Sequence, residues 1–392
     1  MRRSQFYLLF IVLFSLVLTG CGGMLTKEVR SVTPHLEQRT QADDPIAGPA
    51  NLTELKNDLI DLVRQHSETG RIRVANYTGN INTDMSRAFQ DILREDPICA
   101  YTVNYFTHDY SPLTAEVSFS IIYLPNRDWD IPRVSLSGLT DEIMKALTEG
   151  RDELVLEVGY YESGADLNAL LREAYFRVPA RAVGMPTLSF NLFPDSGLSR
   201  VVDMKLSYPY TPEETRQRIL QANQALDALL DNLPDSLDPP TRALRLYDLL
   251  GERVSHTASP TQESEWLDAS DNLYTALVDG HAASAGFALS YKLLCDQSGL
   301  ECRIVTGLRG NTNHVWNLVK LDDDWYHVDA AADAAAGGTH DWFLKTDTDM
   351  QTVALWTRAT TPQCTATRHT YETLTNPPGE NTPSADGTAD GE

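Results

Sequence analysis

His314 and Asp329 are the side chains best placed for proton chemistry in this sequence. His314-Val315-Trp316-Asn317-Leu318 and Trp325-Tyr326-His327-Val328-Asp329 alternate as strands, and Asp322-Asp323-Asp324 between them has turn chemistry. A period of two puts His314, Trp316 and Leu318 on one face, and likewise Trp325, His327 and Asp329. Folding back at the aspartates brings His314 and Asp329 within about one residue of opposition, where cross-strand Cβ atoms lie about 5 Å apart. An imidazole held by a carboxylate can accept and return a proton. Upstream, the run from Tyr274 to Ala283 leads into a helix expected to begin near Ser284 and to finish before Gly299. Leu300 to Thr306 then alternates as a strand.

Three blocks in this order resemble the transglutaminase-like superfamily, papain-like acyl-transfer domains with a Cys-His-Asp triad. They are Ala283-Ser284-Ala285-Gly286-Phe287-Ala288, His314-Val315-Trp316-Asn317 and Trp325-Tyr326-His327-Val328-Asp329. Between them Gly299 to Gly307 is similar to a strand of that family, and Trp342-Phe343-Leu344 with Asp347 to Met350 to its closing segment. The resemblance implies a papain-like α+β domain over 240–360, with His314 as base, Asp329 as orienting group and position 284 as nucleophile. Here that position holds Ser284. Ala285 stands where related sequences often carry Glu, and Ala330-Ala331-Ala332 where Thr and Trp usually follow the aspartate.

A cysteine at a helix N-terminus facing an imidazole is largely thiolate, because dipole and cation lower a starting pKa of about 8.5. A serine hydroxyl forms no such ion pair, and a misplacement near 1 Å costs roughly a hundredfold. The reading therefore leans away from an enzyme, toward a domain that binds peptide or cell-wall polymer in a groove lined by His314 and Trp316. The alternative is an active Ser284-His314-Asp329 hydrolase or acyltransferase acting on peptide or isopeptide bonds. No Gln or Asn before Ser284 stands out as an oxyanion donor. Cys295 lies at the wrong end of the same helix for activation; it either pairs with Cys302 in a disulfide or is a small buried residue. The nine histidines show no metal-binding spacing, and no cofactor is expected.

The elements that must carry this site are preceded by segments of another kind. Residues 1–20 have a positive start at Arg2 and Arg3 and a thirteen-residue apolar run, too short to span roughly 30 Å of hydrocarbon. With Leu18-Thr19-Gly20-Cys21 the segment resembles a bacterial lipoprotein signal peptide, which implies lipidation at Cys21 and an extracytoplasmic protein anchored to the bacterial cell membrane. Residues 21–50 read as a flexible tether and 376–392 as a disordered tail. Over 51–233 a strand, helix, strand, strand pattern appears twice, as two small repeated α+β modules, with Tyr101 to Tyr105 and Val117 to Tyr123 expected as the paired strands of the first, and Pro234, Pro239 and Pro240 mark a boundary. With 32 Lys and Arg against 55 Asp and Glu, the net charge of -23 repels phosphate backbones and argues against nucleic acid as a partner.

Overall fold

The computed structural model describes residues 48–162, 164–234, 236–258 and 270–376. The expected signal segment and lipidation site Cys21, the expected tether up to residue 47 and the expected tail beyond Asn376 lie outside the described residues. Packing separates two units: one runs to Pro132 and takes in Leu192–Val201, the other comprises Arg133–Asn191 and the chain from Val202 on.

In the first unit, helix α1 (Leu52–Arg64) is capped by Asn51, whose side chain accepts the Glu54 N–H. Strand β1 (Thr69–Arg73) leads to α2 (Ile81–Glu95), which buries Met85, Ala88, Phe89 and Ile92 at helical spacing. Tyr101 to Tyr105, expected as a strand, is helical in its first two residues. Asp96 accepts the Cys99 N–H and Pro97 occupies the first turn, so a short helix α3 (Pro97–Thr102) wins over β-propensity. Strands β2 (Val103–Ser111) and β3 (Glu116–Tyr123) follow, and the antiparallel order is β1-β3-β2.

Strand β4 (Arg133–Ser135) and α4 (Leu136–Glu149) open the next segment, and Gly150 ends α4 in the left-handed region at φ 70°. Then come β5 (Glu153–Gly159), α5 (Leu167–Arg177), β6 (Thr187–Phe193) and β7 (Ser199–Ser207), in the sheet order β4-β5-β7-β6. The succession strand, helix, hairpin thus occurs twice, each time with its last strand in the middle.

Helix α6 (Pro212–Leu230) has a full capping box between Thr211 and Glu214, and Asp238 caps α7 (Pro239–Arg253). Two short parallel strands, β8 (Ser255–His256) and β9 (His281–Ala282), stand just before α8 (Ser284–Gln297), the helix expected to open at Ser284. Helix α8 is buried nearly all round, with Phe287, Leu289, Tyr291 and Leu294 in the core. It packs on an antiparallel sheet of β10 (Cys302–Arg309), β11 (Thr312–Leu321), β12 (Asp324–Val328) and β13 (Ala354–Trp356), in the order β12-β11-β10-β13. The apolar core around Leu246, Leu250, Tyr291, Tyr326 and Phe343 also takes in Ala222 and Leu226 of α6, so packing continues across the proline-marked boundary.

Candidate active site

The hairpin brings His314 and Asp329 together. Nε2 of His314 is 2.8 Å from Oδ2 of Asp329, a carboxylate only 1% exposed. The register pairs Asn317 with Val328, so Trp316 falls opposite Asp329 and His314 meets it on the diagonal. Asp329 has further partners. Arg309 Nη1 donates to the same Oδ2 at 3.1 Å, and the Ala332 N–H donates to Oδ1 at 3.1 Å. The Arg309 guanidinium lies 4.2 Å over the Trp342 ring. Asp329 therefore orients His314 while its charge is shared with a fixed cation and with the start of α9 (Ala330–Ala335).

Ser284 is the first residue of α8 and is partly exposed. The α8 N-terminus is occupied by a carboxylate that sequence reasoning missed. Asp271 Oδ1 accepts the N–H groups of Ala283 and Gly286, both at 2.9 Å, and its Oδ2 accepts that of Ala285 at 2.8 Å. Only a glycine permits this approach: a Cβ on Gly286 would lie 2.9 Å from Asp271 Oδ1 and 2.6 Å from the Ala282 Cβ. The Ser284 N–H is the one amide of that turn outside the Asp271 set. Among the described residues Ser284 Oγ is not hydrogen-bonded to His314, whose partner is Asp329. Asn272, next to Asp271, accepts the N–H groups of Tyr274 and Thr275 at its side-chain oxygen.

His256 is the second residue the sequence did not announce. Its strand pairs it with Ala282, two residues before Ser284. Burial pushes its imidazole pKa below the ordinary value, and nearby His314 pushes the same way, while Asp271 and Asp329 oppose them. It lines a cleft of about 600 Å³ together with Asp248, Glu252 and His340. The signal for both residues lies in tertiary placement, since Asp271 is thirteen residues and His256 twenty-eight residues ahead of Ser284.

Trp316 does not line a groove. It is 1% exposed and its indole N–H donates to His327 Nδ1 at 2.9 Å, because that face of the hairpin is covered by Trp356, Met350 and Cys364. His327 is fully buried, and Nε2 lies 2.9 Å from Asp347 Oδ1. His327, Asp347 and Cys364 bring potential ligand atoms within 4.8 Å of one another. The indole donor uses the Nδ1 lone pair, so Nε2 carries the proton and faces the carboxylate; a metal at Nε2 would need that proton removed. Burial also pushes the Cys364 thiol up, away from thiolate. The cluster fits a hydrogen-bonded core better than a metal. Cys295 and Cys302 are free and buried, and burial, then Cys302, pushes the Cys295 thiol well above its ordinary value.

Residues 227–330 match the model of the transglutaminase-like superfamily, so this part of the chain is a transglutaminase-like domain. No curated protein matches the sequence. Among solved structures, a TGase is similar at 11% identity and a TM-score of 0.26, over 46% of this chain and 51% of the other. A candidate cysteine protease from Cytophaga hutchinsonii is similar at 10% identity and a TM-score of 0.24, over 37% of this chain and 62% of the other. A candidate protease from Parabacteroides distasonis is similar at 10% identity and a TM-score of 0.22, over 54% and 45% respectively. This chain thus spans less than two thirds of each of them.

Proposed function

We propose that this protein is a lipid-anchored lipoprotein of the bacterial cell surface, with Cys21 as the anchor, whose transglutaminase-like domain is a pseudoenzyme that binds peptide or cell-wall polymer. One observation carries the non-catalytic reading. The Asp271 carboxylate accepts the amides of Ala283, Ala285 and Gly286 around Ser284. A nucleophile at a helix N-terminus is activated by that positive end. Here the positive end already serves a fixed anion, and a second negative charge at residue 284 would be repelled. Serine in place of cysteine, and Arg309 sharing Asp329 with His314, reduce reactivity in the same direction. The ligand cleft is the one beside His256, Asp248, Glu252 and His340. The two strand, helix, hairpin segments ahead of the domain are read as a duplicated module holding it off the membrane.

The test is labelling of the purified protein with a fluorophosphonate, together with an amine-incorporation assay, on wild type and Ser284→Ala. Wild type is expected to be silent in both. Labelling that disappears in Ser284→Ala would establish instead the second reading, a serine-dependent hydrolase or acyltransferase. That reading is favoured by the Ser284 amide left outside the Asp271 set, since it can serve an oxyanion. For the anchor, Cys21→Ser should move the protein from the membrane fraction to the soluble fraction.

A further inference from the structure

Sheet edges are binding surfaces when their backbone groups are left unpaired. The Glu301 carbonyl accepts the Lys320 N–H at 2.8 Å, which sets the phase of the β10–β11 ladder. Odd-numbered residues of β10 exchange hydrogen bonds with β11, and Cys302, Ile304 and Thr306 turn their N–H and C=O to the other side. On that side β13 pairs only with Gly307, Leu308 and Arg309. The Cys302 carbonyl, as this phase requires, points away from β11 and accepts Lys292 Nζ at 3.0 Å. From Cys302 to Thr306 no strand lies beside this edge among the described residues.

The edge borders a cleft of about 800 Å³ between β10, α5 and the segment after β13 that carries Thr357, Thr360 and Thr361. That volume is within the range of ligand sites, about 300–1,000 Å³. Four cations line it, Arg172 and Arg177 of α5, Lys292 of α8 and Arg303 of β10, against one carboxylate, Glu173. In a chain with 32 basic and 55 acidic residues this concentration runs against composition. Each cation has an acidic neighbour, Asp166 for Arg172, Glu173 for Arg177, Asp296 for the largely buried Lys292 and Glu301 for Arg303, and the solvent-exposed pairs of Arg177 and Arg303 are weak and exchange readily.

We propose that the Cys302–Thr306 edge of β10 is a second binding site, separate from the cleft beside His256, which takes an acidic peptide segment as an added strand. The Ile304 N–H and C=O supply the main-chain pairing, and the peptide carboxylates meet Arg172, Arg177 and Arg303.

The probe is a fluorescein-labelled Glu-Val-Glu-Val-Glu peptide, followed by anisotropy on the purified full chain. Its counterpart Lys-Val-Lys-Val-Lys is the control, because the net charge of -23 by itself attracts the basic peptide. The acidic peptide should bind more tightly than the basic one despite that field, and lose affinity as salt rises. Arg303→Glu, a change at an exposed position, should weaken binding about tenfold. Arg172→Glu added to it should weaken binding further, with folding checked by circular dichroism. Of two peptides N-methylated on alternate backbone nitrogens, one should lose about tenfold and the other little, because only one phase faces the edge. Ser284→Ala should bind as wild type does. The proposal is overturned by preference for the lysine peptide, by equal loss in both methylated peptides, by indifference to Arg303→Glu, or by no binding at millimolar peptide.

Discussion

At His327 two neighbours decide the protonation state. The Trp316 indole N–H points at Nδ1 and can only donate, so a proton added there would set two N–H groups against each other. Burial depresses the His327 pKa, and Asp347 opposes the effect without reversing it. Burial acts first on His108 and His256 as well, and both are depressed. An unfolded histidine titrates near 6.5, so between the folded value and about 6.5 the unfolded chain binds more protons than the folded one. Stability is therefore whole above about pH 6.5 and is lost as pH falls through that window, at up to about 1.4 kcal/mol per pH unit for each group. Denaturant midpoints at pH 7.5 and pH 5 should show the loss, and His327→Gln should make it shallower; an unchanged slope would remove His327 from the account. At position 284 the carboxylate of Asp271 leads to a second expectation. In Ser284→Cys the thiol should alkylate with iodoacetamide along a pH profile centred at or above the ordinary value of about 8.5. Adding Asp271→Asn removes the competing charge and should shift that profile to lower pH. A Ser284→Cys profile already centred below pH 7 would show that Asp271 does not oppose an anion there.

The start of α8 is an element whose stability depends on one side chain from outside it. Three amide hydrogen bonds to a buried carboxylate should make Asp271→Ala cost about 2–4 kcal/mol, read from the denaturant midpoint. Gly286→Ala should also destabilise, by about 2 kcal/mol or more, although alanine is the better helix former by about 1 kcal/mol. The reason is that its Cβ would fall 2.6 Å from the Ala282 Cβ and 3.0 Å from the Asn272 carbonyl. If Gly286→Ala proved neutral, the Asp271 cradle would not be as tight as described. These elements also show how far the sequence is legible. The start of α8 at Ser284 and the hairpin carrying His314 and Asp329 follow from local signals: periodicity, a turn of aspartates and a glycine stop. Tyr101 and Thr102 depart from the expected strand because an aspartate and a proline upstream outweigh β-propensity in a short segment. Asp271, His256 and Arg309 were illegible for a different reason. Their partners are distant in sequence, and an aspartate beside an asparagine reads as a cap for the turn that follows it, not for a helix thirteen residues on.

Over the whole molecule, composition and packing mark different boundaries. Pro234, Pro239 and Pro240 suggest a domain starting at 240, yet Ala222 and Leu226 of α6 are buried in the same apolar core as Leu246, Tyr291 and Phe343. Arg218 of α6 lies 3.8 Å over the Tyr210 ring and 4.2 Å over the Tyr274 ring, tying the helix to the segment ahead of β9. The match to the transglutaminase-like superfamily likewise begins inside α6, at residue 227. Fully burying one leucine-sized side chain contributes about 1.5–3 kcal/mol. Removing Leu226 and Ala222, with the partly buried Ile219, Ala225 and Leu229 beside them, should cost on the order of 4 kcal/mol or more. That is comparable to the whole stability of a small domain, about 5–15 kcal/mol. A fragment spanning 240–376 should therefore be much less stable than one spanning 212–376, with a lower urea midpoint or no cooperative transition. Equal midpoints for the two fragments would place the true edge of the transglutaminase-like domain at the prolines, with α6 as a covering that adds no stability.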